Sequence, residues 1–71
     1  MADRKVFHVV PDPEGGWKVE KEGAGRASAK TQTKDDAIFH GRELARTARP
    51  SQLIIHNDDG SIEEEHTFAR I

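Results

Sequence analysis

The chain has 71 residues, which is the length of one small domain, and it contains no cysteine. Small folds bury a limited share of their surface and often add disulfides, a metal or self-association. The lack of cysteine excludes disulfides and thiolate-bound zinc or iron–sulfur sites. We therefore predict a single domain over residues 1–71, with an ordered core from about 5 to 68.

The net charge is −2 and is unevenly spread along the chain. Residues 1–50 contain ten Lys/Arg and eight Asp/Glu, whereas residues 51–71 contain one Arg and five acids. Neither segment is charged strongly enough to require a nucleic acid or a membrane as partner. The N-terminus has charged residues before a short apolar run, and no segment approaches the roughly 18 apolar residues of a membrane span. We expect a cytoplasmic protein with no membrane partner.

The first third of the sequence has the pattern of a β-hairpin. Residues 5–10 are rich in β-branched and aromatic side chains and end at Pro11, which predicts a strand. Residues 11–16, Pro-Asp-Pro-Glu-Gly-Gly, are typical of a turn. Residues 17–22 then alternate apolar and charged side chains, as a strand with one exposed face does. Residues 29–32 are compatible with a further short edge strand.

A helix is the clearest predicted element. Thr33 is suited to cap its N-terminus, acidic residues follow in the first turn, and Pro50 marks its end. The spacing predicts a helix from Lys34 to about Thr47. Its buried stripe, an arc of about 120°, is predicted to comprise Ala37, Ile38, Gly41, Leu44, Ala45 and Ala48. The small size of Gly41 in particular would let the helix lie close to a sheet.

The C-terminal part of the sequence predicts a second hairpin. Residues 52–56 form a short apolar run, which is typical of a strand buried on both faces. The sequence Asn-Asp-Asp-Gly at 57–60 predicts a tight turn, and residues 61–68 return as the last strand. A loop of two or four residues would place Ile62 on the face of Ile55, and a three-residue loop would place it on the opposite face. Both registers remain open.

These elements predict an α+β fold in the order β-β-(β)-α-β-β. We expect an antiparallel sheet of four or five strands with one helix packed on one face. The strands at 5–10 and 52–56 have apolar side chains on both sides, but one helix covers only one side. Too few apolar residues remain to cover the other side within one molecule.

Several short segments along the chain carry a family resemblance. They are His8-Val9-Val10-Pro11, Gly16-Trp17 with Val19, Lys34 with Ala37-Ile38, and Ile55-His56 with Gly60 and Ile62. In this order and spacing, the sequence resembles the bacterial family called domain of unknown function 2188 over roughly residues 6–68. The resemblance implies a small stand-alone bacterial domain with no established activity and no catalytic assignment.

Two histidines are candidate partners in the predicted sheet. His8 and His56 each follow apolar strand residues, and if their strands are neighbours the imidazoles form a cross-strand pair. Such a pair could bind a metal or transfer a proton. Neither strand contains an Asp or Glu as an obvious third ligand. We therefore predict two partly buried, hydrogen-bonded histidines, with no metal site and no cofactor.

An aromatic side chain lies opposite the predicted buried stripe of the helix. Phe39 is placed there beside Arg42 and Arg46, a composition typical of an interface hot spot. Together with the uncovered sheet face, this surface motivates our main hypothesis, a non-catalytic interaction or structural module. We predict that it self-associates as a homodimer that buries either the open sheet face or the Phe39 surface.

The alternative hypothesis is DNA binding through the sheet. The phosphate contacts would come from four basic residues: Lys18, Lys21, Arg26 and Lys30. The acidic net charge and the interspersed Glu20 and Glu22 count against this hypothesis.

No feature of the sequence predicts an enzyme. The serines lack a nucleophile-elbow context, and the glycine segments do not form a phosphate-binding loop. Glu63 and Glu65 are predicted to share one solvated face of the last strand, and we do not expect them to act as a catalytic pair.

Overall fold

The computed structural model describes residues 4–70, which form five strands and one helix. The elements are β1 Lys5–Pro11, β2 Trp17–Lys21, β3 Ala27–Thr31, α1 Lys34–Thr47, β4 Ser51–His56 and β5 Ile62–Phe68. Their order, β-β-β-α-β-β, confirms the predicted α+β fold and includes the short third strand. The edge strand begins two residues earlier than predicted.

The sheet is mixed, with strand order β3-β2-β1-β4-β5. The pairs β1–β2, β2–β3 and β4–β5 are antiparallel, whereas the central pair β1–β4 is parallel. The predicted antiparallel arrangement is therefore right for the outer pairs and wrong at the centre. The physical reason is the helix, which lies between β3 and β4 in the chain. A crossover of this length returns the chain so that β4 runs beside β1 in the same direction.

Helix α1 begins and ends where its capping residues place it. Thr33 has an extended backbone, and its side-chain oxygen accepts a hydrogen bond of 3.2 Å from the backbone N–H of Asp36. At the other end, the backbone N–H of Ala48 donates to the carbonyls of Leu44 and Ala45. The predicted limits of the helix are thus confirmed.

The buried face of α1 is the predicted stripe of small and apolar residues. Ala37, Gly41 and Ala45 are buried, and the other members pack at the margin of the core: Ile38, Leu44 and Ala48. A Cβ atom on Gly41 would lie 2.9 Å from Leu53 Cδ1 and 3.2 Å from Val9 Cγ2. The lack of a side chain at Gly41 therefore allows the helix backbone to approach the sheet closely.

The hydrophobic core lies between α1 and one face of the sheet. The three inner strands contribute its buried side chains: Phe7, Val9, Val19, Leu53 and Ile55. Ser51 is also buried, and its hydroxyl donates a hydrogen bond to the carbonyl of Ala45 near the end of α1. This bond ties the start of β4 to the helix.

The opposite face of the sheet has no covering layer in the part of the chain that the structure describes. Val6, Val10 and Ile54 lie there and are half-buried. Strand β4 is thus buried on one face and half-buried on the other, so the prediction of a strand buried on both faces is wrong. Parallel strands are ordinarily covered on both sides. In this chain, one face of the parallel pair β1–β4 is instead accessible.

The β4–β5 hairpin has the register that brings Ile62 beside His56. The backbone N–H of Asn57 donates to the carbonyl of Ser61 at 2.7 Å, which leaves a three-residue loop, 58–60. Ile62 then pairs with His56 across the hairpin. Of the two registers that the sequence left open, the structure has the three-residue one, and Ile62 lies 55% exposed on the open face.

A bulge in β5 separates two glutamates that were predicted to share a face. The register of the β4–β5 pair shifts next to Glu63. Glu63 forms an ion pair with Lys34 of the helix, whereas Glu65 accepts a hydrogen bond from Gln52 at 2.8 Å on the opposite face. The prediction of a shared face is wrong because the extra residue inverts the alternation.

Two aspartates in turns are expected to make stability depend on pH in the acid range. A hydrogen bond from the backbone N–H of Glu14 lowers the pKa of Asp12 below its usual 3.8. Hydrogen bonds from the hydroxyl and N–H of Ser61 do the same to the pKa of Asp59. Because these pKa values are lower in the folded chain, each carboxylate stabilises the fold above about pH 4. This contribution is lost as the pH falls through the folded pKa.

Replacing one of these carboxyls tests the dependence. Asp59→Asn is expected to flatten the acid side of the curve of unfolding free energy against pH, measured by urea unfolding between about pH 2 and pH 6. Asp58→Asn, in the same turn, is the matched control. If both variants flatten the curve equally, the hydrogen bonds of Asp59 are not the cause.

Candidate functional site

A groove of about 430 Å³ lies between α1 and the edge strand β5. It forms because the helix packs mainly on β1 to β4 and leaves the helix-facing side of β5 uncovered. The structure brings Phe39, Arg42 and Arg46, the predicted interface residues, together on the helix wall of this groove. Phe68 and His66 line the strand wall.

Both walls of the groove present aromatic surface. Phe39 is 62% exposed, and its ring lies edge-on to the ring of His40, with centroids 5.8 Å apart. On the other wall, Phe68 is half-buried at the margin of the core. The Arg49 guanidinium lies over the Phe68 ring, 5.9 Å from its centroid. A ligand in the groove would therefore contact two aromatic rings.

The two walls differ in charge. On the helix wall, Arg46 forms an ion pair of 2.7 Å with Glu43, and Arg42 is exposed and forms no ion pair with any side chain in residues 4–70. Next to the strand wall, on the same side of β5, the Glu64 carboxylate lies 2.9 Å from His66 Nε2 and is 56% exposed. The helix wall therefore carries a net positive charge. The strand that forms the other wall, β5, contains three glutamates and is acidic.

Sequence reasoning missed the strand wall of the groove. His66 and Phe68 line this wall, and Glu64, two residues before His66, lies on the same helix-facing side of β5. This spacing was visible in the sequence. The closeness of these side chains to Phe39 was not visible in the sequence. It depends on the position of β5 at the edge of the sheet, which local sequence patterns do not show.

A second candidate site lies on the open face of the sheet, where the structure brings His8 and His56 together. His8 Nδ1 and His56 Nε2 are 3.0 Å apart, and the ring centroids are 5.2 Å apart. The outer nitrogens also have partners. His8 Nε2 lies 2.8 Å from Glu22 Oε1, and His56 Nδ1 lies 3.0 Å from the carbonyl oxygen of Gly60.

The partners of the outer nitrogens indicate one tautomer for each neutral ring. A carboxylate and a carbonyl oxygen only accept hydrogen bonds, so His8 Nε2 and His56 Nδ1 are the donors. A neutral imidazole has one N–H, and in each ring the outer nitrogen uses it. The inner nitrogens, 3.0 Å apart, are within hydrogen-bond distance of each other, so a further proton can lie between them. Both can also act as ligands of a cation that lies to one side of the line joining them.

Two of the lysines of the DNA hypothesis, Lys18 and Lys30, already have acidic partners. Lys18 Nζ lies 3.0 Å from Glu20 Oε2. Lys30 Nζ lies 3.7 Å from Asp12 Oδ2 and 3.6 Å from Glu14 Oε1. A phosphate would have to compete with these carboxylates for both lysines.

The other two basic residues of that hypothesis lie elsewhere. Lys21 and Arg26 line a pocket of about 330 Å³ next to the β2–β3 turn. Glu20 and Glu22 line the same pocket. The four basic residues therefore do not form one surface free of acidic side chains.

Comparison with known proteins assigns the family. The family model described as "Uncharacterized protein conserved in bacteria (DUF2188)" matches residues 7–68. The chain belongs to the DUF2188 family. The resemblance that was inferred from short segments between His8 and Ile62 is thereby confirmed.

Two Bacillus subtilis (strain 168) proteins are similar to this DUF2188 chain. The first, Uncharacterized protein YycD, is 32% identical over 65 residues, which cover 90% of this chain and 97% of that protein. The second, Uncharacterized protein YdaT, is 36% identical over 61 residues, which cover 86% of this chain and 39% of that protein. No solved structure matches the DUF2188 chain.

Two further findings concern residues 4–70 of the DUF2188 chain. Within this range, no three or more His, Cys, Asp or Glu side chains are grouped so as to hold a metal ion. The helix found there is too short and too polar to cross a membrane.

Proposed function

We propose that this domain is a non-catalytic interaction module that self-associates through the groove between α1 and β5. The observation that supports the proposal is the exposed Phe39 beside a concave surface that ends on Phe68. Aromatic and arginine side chains dominate the energetics of protein interfaces. The helix wall of the groove supplies both kinds of side chain.

Charge favours a second copy of the chain as the occupant of the groove. In a twofold dimer the same surface is used twice, so the helix wall of one copy can lie against the strand wall of the other. Arg42 of each copy, which has no ion-pair partner among residues 4–70, would then approach the exposed Glu64 of the other. Opposite charges placed across an interface set its register and disfavour wrong partners.

The edge of β5 itself is poorly suited to strand-to-strand pairing. Its three consecutive glutamates, 63–65, place negative charges along the edge, and charged edges resist extension of a sheet by a like strand. Docking of the helix of one copy against the strand wall of the other is therefore favoured over a continuous sheet through two copies.

The open sheet face is the less suitable surface for self-association. Three of its apolar side chains, Val6, Val10 and Ile54, are half-buried within the chain itself. Ile62 is 55% exposed at the end of this face, whereas Phe39 is 62% exposed beside a groove. The long polar side chains on this face pair with each other: Lys18 with Glu20, and Gln52 with Glu65. A partner docking there would have to displace these pairs.

Charge reversal in the groove tests the proposal. Arg42→Glu and Glu64→Arg are each expected to weaken the dimer at least about 10-fold, because each places like charges opposite each other. The double variant is expected to recover most of the loss, because it restores opposite charges. Sedimentation equilibrium at micromolar concentration and low salt measures the dissociation constants.

Two controls locate the interface. Arg26→Glu makes the same change of charge away from the groove and is expected to leave the dimer unchanged. Phe39→Ala is expected to weaken it. Sedimentation of the wild-type chain as a 7.9 kDa species alone contradicts self-association. A dimer that tolerates both Phe39→Ala and Arg42→Glu contradicts the use of the groove.

Sheet-mediated DNA binding remains the alternative proposal. The ion pairs of Lys18 and Lys30 count against it, since salt-sensitive DNA binding needs basic side chains that are free to contact phosphates. We expect no change in the fluorescence anisotropy of a labelled DNA duplex at low salt and micromolar protein. A rise that disappears with added salt would favour DNA binding instead.

A further inference from the structure

The inner ring nitrogens of His8 and His56 form a two-nitrogen cluster that the proposed dimer does not use. His8 Nδ1 and His56 Nε2 are 3.0 Å apart on the open sheet face, on the side of the sheet away from α1. No layer in residues 4–70 covers this face, and the His8 side chain is 22% exposed. An ion from solvent can therefore reach the cluster.

Hydrogen bonds at the outer nitrogens orient both rings as they are oriented in metal sites. Metal-binding histidines commonly donate their other N–H to a carboxylate or a backbone carbonyl, which fixes the tautomer and the ring direction. His8 has the Glu22 carboxylate in this role, and His56 has the Gly60 carbonyl. Each contact leaves the inner nitrogen of its ring as a lone-pair donor.

We infer that His8 Nδ1 and His56 Nε2 bind one divalent transition-metal ion of the zinc class. With metal–nitrogen bonds of about 2.0–2.1 Å, a nitrogen separation of 3.0 Å corresponds to an N–metal–N angle of about 95°. A separation of about 3.3 Å gives the tetrahedral angle that zinc prefers. The two rings would have to turn toward a common point, while β1 and β4 stay in place.

The site provides two protein ligands. No third His, Cys, Asp or Glu within residues 4–70 completes a group of three. The remaining positions are therefore filled by water or by another ligand. Structural zinc sites use four protein ligands, so we expect weaker and more readily exchanged binding than at such a site.

A zinc titration of the tag-free chain tests the inference directly. Long-range ¹H–¹⁵N NMR spectra report on each ring nitrogen separately. Zinc chloride is expected to shift the resonances of His8 Nδ1 and His56 Nε2, because these atoms become ligands. The ring nitrogens of His40 and His66, which lie away from the pair, are expected to stay unchanged.

Variants measured by calorimetry give a second readout. His56→Gln removes one of two ligands and is expected to lower the zinc affinity at least about 10-fold. Glu22→Gln is also expected to lower it about 10-fold, because it removes the charged acceptor that orients His8. The Glu22 side chain is 64% exposed, so this variant leaves the core untouched. His40→Gln and His66→Gln are the matched controls and are expected to bind zinc as the wild type does.

Two results would overturn the inference. The first is that millimolar zinc leaves the ring resonances of His8 and His56 in the wild-type chain unmoved. The second is that His40→Gln or His66→Gln lowers the affinity as much as His56→Gln, since the zinc would then bind elsewhere. Wild-type affinity in Glu22→Gln would overturn the orienting role of the carboxylate.

Discussion

Gly16→Ala is expected to destabilise the fold by about 3–4 kcal/mol, roughly two to three times the effect of Gly25→Ala. Both glycines have a positive φ, +76° at Gly16 and +84° at Gly25. Alanine at either position loses about 1–2 kcal/mol because its Cβ is strained in the left-handed region. A Cβ on Gly16 would also lie 2.3 Å from the carbonyl oxygen of Thr31. A Cβ on Gly25 would have no neighbouring atom within 4 Å.

The steric clash at Gly16 cannot be relieved by a small movement of a side chain, because the neighbouring atoms belong to the backbone of Thr31 and Gln32. Gly16 directly precedes β2, and Thr31 pairs with Trp17 in the neighbouring strand β3. The contact is with backbone, which can move only if the pairing of β2 with β3 is disturbed. A domain of 71 residues is typically stable by about 4–11 kcal/mol, so the substitution removes a large part of this margin.

Urea unfolding of the two variants and the wild type measures the difference. Comparing Gly16→Ala with Gly25→Ala separates the cost of backbone strain from the cost of the contact, since the φ values are nearly equal. Equal losses of unfolding free energy in the two variants would show that backbone strain at positive φ is the whole effect. The backbone of β3 would then move away from the new Cβ at little cost.

Leu53→Ala is expected to cost about 2–5 kcal/mol, because it leaves a cavity beneath the helix. Leu53 is fully buried in a central strand, and its Cδ1 atom is the nearest neighbour that a Cβ on Gly41 would meet. The two positions are therefore expected to be strongly coupled.

A double-mutant cycle measures the coupling between these positions. In the wild type, the helix propensity that Gly41→Ala gains, about 1 kcal/mol, is opposed by the contact at 2.9 Å. In the Leu53→Ala background this contact is gone and the one with Val9 Cγ2 at 3.2 Å remains, so Gly41→Ala is expected to stabilise by up to about 1 kcal/mol. The same effect of Gly41→Ala in both backgrounds would contradict the close approach of helix and sheet. Asp35→Ala, on the exposed side of the helix, is the control for coupling.

The proposed dimer has a consequence for these measurements. Association of folded chains adds to apparent stability by mass action, so the midpoint of unfolding should rise with protein concentration. Arg42→Glu is expected to remove this dependence without changing the core, because Arg42 is exposed. Stability experiments on core variants are best compared in this background.

The sequence by itself determined the elements and the composition of the core. Thr33, with acidic residues after it, and Pro50 indicated the limits of the helix, because capping and proline geometry act within a few residues. The spacing of Ala37, Gly41 and Ala45 predicted its buried face for the same reason. Phe39 was recognised as exposed because helical geometry places it away from that stripe.

Only the tertiary structure decided which elements meet. The parallel pairing of β1 with β4 depends on the path of the crossover, which no short segment encodes, and it brings His8 to His56. The acceptor Glu22 and the strand wall of the groove likewise come from distant positions in the chain. Local propensities determine helices and turns, whereas strand order follows from burying one side of the sheet under a single helix.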